Sequence, residues 1–245
     1  MTRTSRSAVL LAGLLFSVTS AWPDQAAVAL AKAKPAAAIA QTKETQAAIT
    51  PAIARRRLAE GNVRFMTGRM RARDLRAQVQ ATAGGQYPFA SVLGCMDSRA
   101  APELVFDQGI GDVFAPRIAG NVLDDDILGS LEYASKVAGA RLIVVLGHTE
   151  CGAVKGACDK VQLGHLTGLL TRLQPALDAV PDAAPRDSTN HDFVQRVAEA
   201  NVRLAVAQIR DQSAILKAMV DKGDLAVVGA MYDIHTGKVA FYDDK

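Results

Sequence analysis

Apolar positions along the chain fall into two kinds of run. Short apolar stretches, Phe89 to Leu93 with Ser91 as its one polar residue, Leu142 to Leu146 and Leu225 to Met231, predict buried strands. Val113 to Ile118 is a further strand, and Pro116 within it predicts an edge or a strand end. Helical spacing takes over elsewhere. Leu128, Leu131 and Ala134 share one face of a helix expected over 127–137, and Asp124 to Asp126 put negative charge at its N-terminus. Further helices are expected over 102–106, 151–159, 163–180 and 193–219, the last broken near Asp211 to Ser213. His235 to Lys238 predicts a hairpin turn into a final antiparallel strand, Val239 to Tyr242. Strands alternating with helices make right-handed crossovers and a parallel sheet the expectation. The pattern therefore describes one α/β domain over 52–245: a mostly parallel central sheet of four strands plus an antiparallel edge strand, flanked by helices.

Upstream of that domain the pattern changes twice. Arg3 and Arg6 precede an apolar run from Ala8 to Val18, and Thr19-Ser20-Ala21 offers small residues for cleavage. Residues 1–21 thus read as a secretory signal, which predicts a periplasmic or secreted protein. The alternative is an organelle transit peptide, since the first acidic residue is Asp24. The run is short for a bilayer span, so no stable membrane insertion is expected once the signal is removed. Residues 22–51 are rich in Ala, Lys, Gln and Thr and read as a linker or partly helical arm. At the start of the domain, Ile53, Leu58, Val63, Phe65 and Met66 form a rough helical stripe carrying Arg55-Arg56-Arg57, which is expected to be a solvated basic face. Ala81 to Pro88 is expected to be a loop.

Charge narrows the function classes. The whole chain carries a formal +3, and loss of Arg3 and Arg6 with the signal leaves +1, with only 5% aromatic residues. A basic, aromatic-interleaved surface is missing, which argues against a nucleic-acid partner. Cysteines number three, too few for a disulfide scaffold and odd, which favours metal or free-thiol roles.

Two of those cysteines define the chemistry. Gly94-Cys95-Met96-Asp97-Ser98-Arg99 follows the first strand, and Gly147-His148-Thr149-Glu150-Cys151-Gly152 follows the Leu142 strand. Strand ends are where open α/β sheets bind ligands. Two thiolates and an imidazole form a zinc set that leaves a fourth position for water or substrate. Two buried inert cysteines, or a Cys95–Cys151 disulfide in an oxidising compartment, are the competing readings. Asp97 and Arg99 stand two residues apart and suit a charge-assisted pair that would fix the carboxylate and keep it ionised.

The motifs Cys95-Met96-Asp97-Ser98-Arg99, Arg117-Ile118-Ala119-Gly120-Asn121, Gly147 to Gly152 and Tyr232 to Gly237 resemble those of the β-class carbonic anhydrases, over roughly Leu58 to Tyr242. The resemblance implies reversible hydration of CO2 to bicarbonate and a proton by zinc-bound hydroxide. It implies one zinc per subunit, held by Cys95, His148 and Cys151, with Asp97 and Arg99 as the catalytic dyad. It also implies a homodimer or dimer of dimers with the site at the subunit interface. Gln86 and the backbone N–H of Gly152 are the implied donors to substrate, and Phe114 and Ala119 are expected as pocket walls. In the bicarbonate-gated subtype Asp97 would leave Arg99 and become a metal ligand, but the tryptophan of that subtype is replaced here by Val92. His165, His191 and His235 are the candidate proton shuttles, with ordinary exposed surface histidines the commoner reading for each, and Cys158 has no expected catalytic part. Two alternatives stay open: hydrolysis of a CO2-like molecule such as carbon disulfide, and a zinc or redox module without catalysis.

Overall fold

The computed structural model describes residues 40–181 and 184–242. The predicted signal, residues 1–21, lies outside them. Packing begins upstream of Pro51, where the arm was expected. Thr42 caps α1 (Lys43–Ala47), and the buried Gln46 donates to the carbonyls of Pro88 and Ala138 at 2.7 and 2.8 Å. Two short hydrogen bonds to backbone carbonyls of the domain hold this polar segment in place. Next come α2 (Pro51–Met66), capped by Thr50 with Pro51 in its first turn, and α3 (Leu75–Thr82), capped by Asp74. That last helix had not been expected, and it covers the start of the expected Ala81 loop.

The sheet follows the expected plan. Strands β1 (Ala90–Gly94), β2 (Val113–Phe114), β3 (Leu142–His148), β4 (Ala226–Tyr232) and β5 (Val239–Phe241) lie in the order β2-β1-β3-β4-β5. All neighbours run parallel except β4 and β5. The edge strand β2 is shorter than predicted. Pro116 has no N–H for the ladder, yet its carbonyl accepts from Gly94 N at 3.0 Å, and Ile118 N donates to Gly94 O at 3.1 Å.

Side chains of β3 alternate between two buried layers. Ile143 and Val145 face one layer, and Leu142, Val144 and Leu146 face the other, which includes Ala54 and Leu58 of α2. Fully burying each such side chain contributes roughly 1.5–3 kcal/mol. The short helix α4 (Pro102–Val105) follows β1, and α5 (Asp125–Glu132), capped by Asp124, runs into a wider turn over Tyr133–Val137. Helix α6 (Gly152–Cys158) follows β3. The single helix expected over 163–180 is two, α7 (Gly164–Thr171) and α8 (Gln174–Asp178). Pro175 suits a first turn and not a helix interior, so the chain breaks before it.

The long helix α9 (His191–Gln212) ends at Ser213, as expected, and Ser213 then caps α10 (Ala214–Asp221). Val202 of α9 presses on the sheet at Gly147, where an added Cβ would come within 2.6 Å of its Cγ2. That close approach requires glycine and fixes the height of the next residue, His148. No helix among the described residues is long and apolar enough to cross a membrane.

Candidate metal centre

Two adjacent parallel strands and the helix after the second deliver the site. Cys95 follows β1, His148 ends β3, and Cys151 stands at the start of α6; all three are buried. Getting His148 and Cys151 onto one centre takes a sharp reversal between them. Glu150 provides it with φ of 57°, in the left-handed region where a non-glycine residue is uncommon. Its carboxylate is tied down by Lys155 and by His191 Nδ1 at 3.3 Å.

The ligand atoms of Cys95, His148 and Cys151 all lie within 4.8 Å of one another. All three cysteines are free thiols, so the disulfide alternative does not hold here. His148 Nδ1 lies 2.9 Å from the Thr149 carbonyl, which accepts its proton and leaves a lone pair on Nε2. That Nε2 is buried and has no hydrogen-bond partner. An unpaired buried acceptor is costly, and its placement beside two thiols is what a zinc ligand set requires. Without metal the Cys151 thiol donates to Cys95 and lowers its pKa, while the same contact and burial push Cys151 up. A divalent cation would favour both as thiolates.

The surrounding loops support the ligands. Gly120 N donates to Cys95 Sγ at 3.3 Å, from a short 3₁₀ turn over Ala119–Asn121 in which Gly120 has φ of 71°. Asn201 of α9 holds that turn through the Gly120 carbonyl at 2.8 Å. Arg117 donates to the carbonyls of Cys95 and Asp97 at 3.0 and 2.6 Å, tying the Cys95 loop to the end of β2. These supporting roles of Arg117, Gly120 and Asn201 had not been read from the sequence. The glycine and arginine of the 117–121 motif were its only visible trace.

Asp97 and Arg99 form the expected pair. Asp97 Oδ1 accepts from Arg99 N and Nε, both at 2.9 Å, and Oδ2 accepts from Nη2 at 2.7 Å. Hydrogen bonds from the Arg99 side chain hold the Asp97 carboxyl well below the usual carboxylate range, against the opposing effect of partial burial. Asp97 Oδ2 lies 3.9 Å from His148 Nε2, beside the cluster but engaged by arginine.

Residues 90–239 match the family model described as carbonic anhydrase. The chain is 39% identical over 202 residues to carbonic anhydrase 2 of Mycobacterium tuberculosis, covering 79% of this chain and 93% of that one. It belongs to the β-class carbonic anhydrases.

Solved β-carbonic anhydrases share the fold. One from Aspergillus fumigatus superposes with a TM-score of 0.60 at 31% identity, covering 67% of this chain and 80% of that one. A β-carbonic anhydrase of Sordaria macrospora, described as tetrameric, gives 0.57 at 29% identity, covering 65% and 82%. As a β-carbonic anhydrase this chain is a zinc enzyme, a carbonate dehydratase, and Cys95, His148 and Cys151 supply the donors for one ion.

Not every expected site residue is at the metal centre of its own chain. Ala119 adjoins Gly120 against Cys95, and Gly152 is exposed at the first position of α6 with open space beside it. Phe114, however, pairs with Ser91, four residues before Cys95 and so about 13 Å back along the strand. It packs edge-on against Tyr133, with ring centroids 6.2 Å apart, in a separate groove of about 610 Å³. Gln86 is exposed in the loop before β1, further still from the C-terminal strand ends. A single chain therefore does not bring Gln86 or Phe114 to Cys95. Their distance in space had no local signature, because both precede or flank the same strands as the ligands.

Proposed function

We propose that CO2 hydration in this enzyme runs at a zinc ion held by Cys95, His148 and Cys151, with Asp97 as the acceptor that aims the nucleophile and Arg99 as its anchor. Zinc in such a site supplies the Lewis acidity that makes water nucleophilic near neutral pH. The observation carrying the reading is the buried, unpaired Nε2 of His148 beside two thiols.

The chain's own groups account for the rest. Arg99 occupies two acceptor directions on Asp97 Oδ1, through N and Nε, and one on Oδ2, through Nη2. A carboxylate oxygen has two, so Oδ2 keeps an acceptor position on the His148 side. Ionised Asp97 can only accept, which selects a nucleophile that donates its proton towards Oδ2 and turns a lone pair elsewhere. Ala119 gives an apolar wall beside the cluster, suited to uncharged CO2, and the first N–H of α6, at Gly152, is a donor for the oxygen that gains charge.

Gln86 and Phe114 enter the site from a second copy of the chain in this reading. The partner subunit's Gln86 and Phe114 would complete a pocket that one chain leaves incomplete. The working unit is then a homodimer or a dimer of dimers. Residues 1–21 direct the enzyme to the periplasm or the exterior.

Replacing His148 with Ala is expected to remove both bound zinc and hydration activity; full stopped-flow activity in a zinc-free variant would refute the reading. Co-assembly of Cys95→Ala chains with Gln86→Leu chains tests the shared site. Recovery of activity above either parent is expected, because one site of each mixed dimer receives an intact ligand set and an intact Gln86.

A further inference from the structure

Far from the metal centre, a polar cavity of about 370 Å³ lies between α2, the segment before α3 and the N-terminal approach to β1. Arg56, Arg57 and Arg64 line it from α2, and Arg71 and Arg73 from the segment that follows. We propose that this cavity binds a phosphate group, either as the free ion or as a monoester on a small molecule.

Charge is the first argument. The carboxylates facing these five arginines are Glu60 and Asp112 on the wall and Asp107 beneath, which leaves two positive charges uncompensated. A phosphate monoester carries about −1.5 to −2 at neutral pH. Asp107 is fully enclosed and consumed by Arg64 and Arg73. Asp112 is occupied too, accepting from Gly109 N at 2.7 Å. Glu60 reaches Arg56 only at 3.7 Å, with both side chains more than half exposed.

Donor geometry is the second. Arg57 is fixed by stacking over Phe89, 5.5 Å from the ring centroid, and by donating one N–H to Gln41 Oε1 at 3.1 Å. A guanidinium has five donors in a rigid fork that suits tetrahedral oxyanions. Arg71 is pinned by its backbone N–H to Asp107 Oδ2 at 3.3 Å, while its guanidinium makes no ion pair among the described residues. Gln41 lines the same cavity, and its Nε2 is buried without a partner. Flipping the amide would turn that donor onto the Arg57 N–H, so the orientation is set and a donor is left waiting. Fixed Arg57, unpaired Arg71 and the Gln41 amide together form an anion cradle.

The test uses the full zinc-loaded enzyme, titrated calorimetrically with inorganic phosphate and with glycerol 3-phosphate at constant ionic strength. Saturable binding at one site per chain is expected, weakened at least tenfold by Arg57→Gln and by Arg71→Gln. Hydration kinetics of both variants should match the wild type, and so should the urea midpoint of Arg71→Gln, since neither side chain touches the metal centre or Asp107 and the Arg71 backbone N–H to Asp107 is kept. Tighter binding of glycerol 3-phosphate assigns the site to a monoester, and tighter binding of the inorganic ion assigns it to free phosphate. Binding that survives both substitutions, or no saturable heat up to roughly 20 mM of either probe, overturns the proposal.

Discussion

Two aspartates in this enzyme are paired with arginine, and they differ in what the pairing leaves over. Asp97 has one partner, Arg99, whose side chain is 54% exposed, and it remains 16% exposed itself. Asp107 has two, Arg64 at 2.5 Å and Arg73, and is 0% exposed. A backbone N–H from Arg71 adds to its coordination. Burial alone would raise the Asp107 carboxyl, but hydrogen bonds from Arg73 and Arg64 more than reverse this, so its pKa is lowered. The same charge pair thus serves two ends. Saturated and enclosed, it staples segments distant in sequence; beside the metal centre it keeps a spare lone pair, which in the proposed function orients a reactant.

This contrast can be broken in four ways. Asp107→Asn leaves two guanidiniums facing an uncharged amide in a closed site, and should cost about 3–5 kcal/mol in urea unfolding. Activity per folded, zinc-loaded molecule should be unchanged. Asp97→Asn should do the opposite, lowering kcat/KM by roughly 10–100-fold, as loss of a group orienting a metal site does. Its unfolding free energy should move by less than about 1 kcal/mol, because the Arg99 partner is more than half exposed and water screens the pair.

Acid should separate the pair next. Asp107 has a lowered pKa when folded, so its stabilisation is fully present above the unfolded value of about 3.9 and is lost as pH falls through the lower, folded one. The stability gap between wild type and Asp107→Asn should therefore be widest at neutral pH and close on acidification in that window. The smallest effect is expected from Arg99→Lys, which keeps the charge but loses the fork that holds both oxygens of Asp97. A fall of a few-fold in kcat/KM, with bound zinc unchanged, is the expected reading.

Much of the site was legible because its parts are local. Cys95 and His148 each lie just beyond a short apolar run, and parallel pairing of Gly94 with Leu146 brings the two strand ends together. Asp97 and Arg99 share one loop, so their pairing needed no tertiary knowledge. The Asp107 cluster was invisible for the opposite reason, since Arg64 and Arg73 lie 43 and 34 positions away.

The Arg55-Arg56-Arg57 run shows how a local reading fails. A solvated face was expected, yet only Arg56 is freely exposed. Arg55 stands over Phe241 and donates to the Tyr242 carbonyl, while Arg57 stacks on Phe89. Aromatic rings distant along the chain capture side chains that periodicity assigns to water. Likewise Pro175 split a helix that apolar spacing alone had joined.

The left-handed backbone at Glu150 restricts what sequence change can reach. Any residue placed there must accept φ of 57°, a conformation that β-branched side chains strongly resist and that Gly, Asn and Asp tolerate. A saturation library at position 150 selected for bound zinc should keep those three beside Glu and discard Val and Ile. The permitted alphabet between the two ligands is therefore set by backbone shape before any question of charge arises.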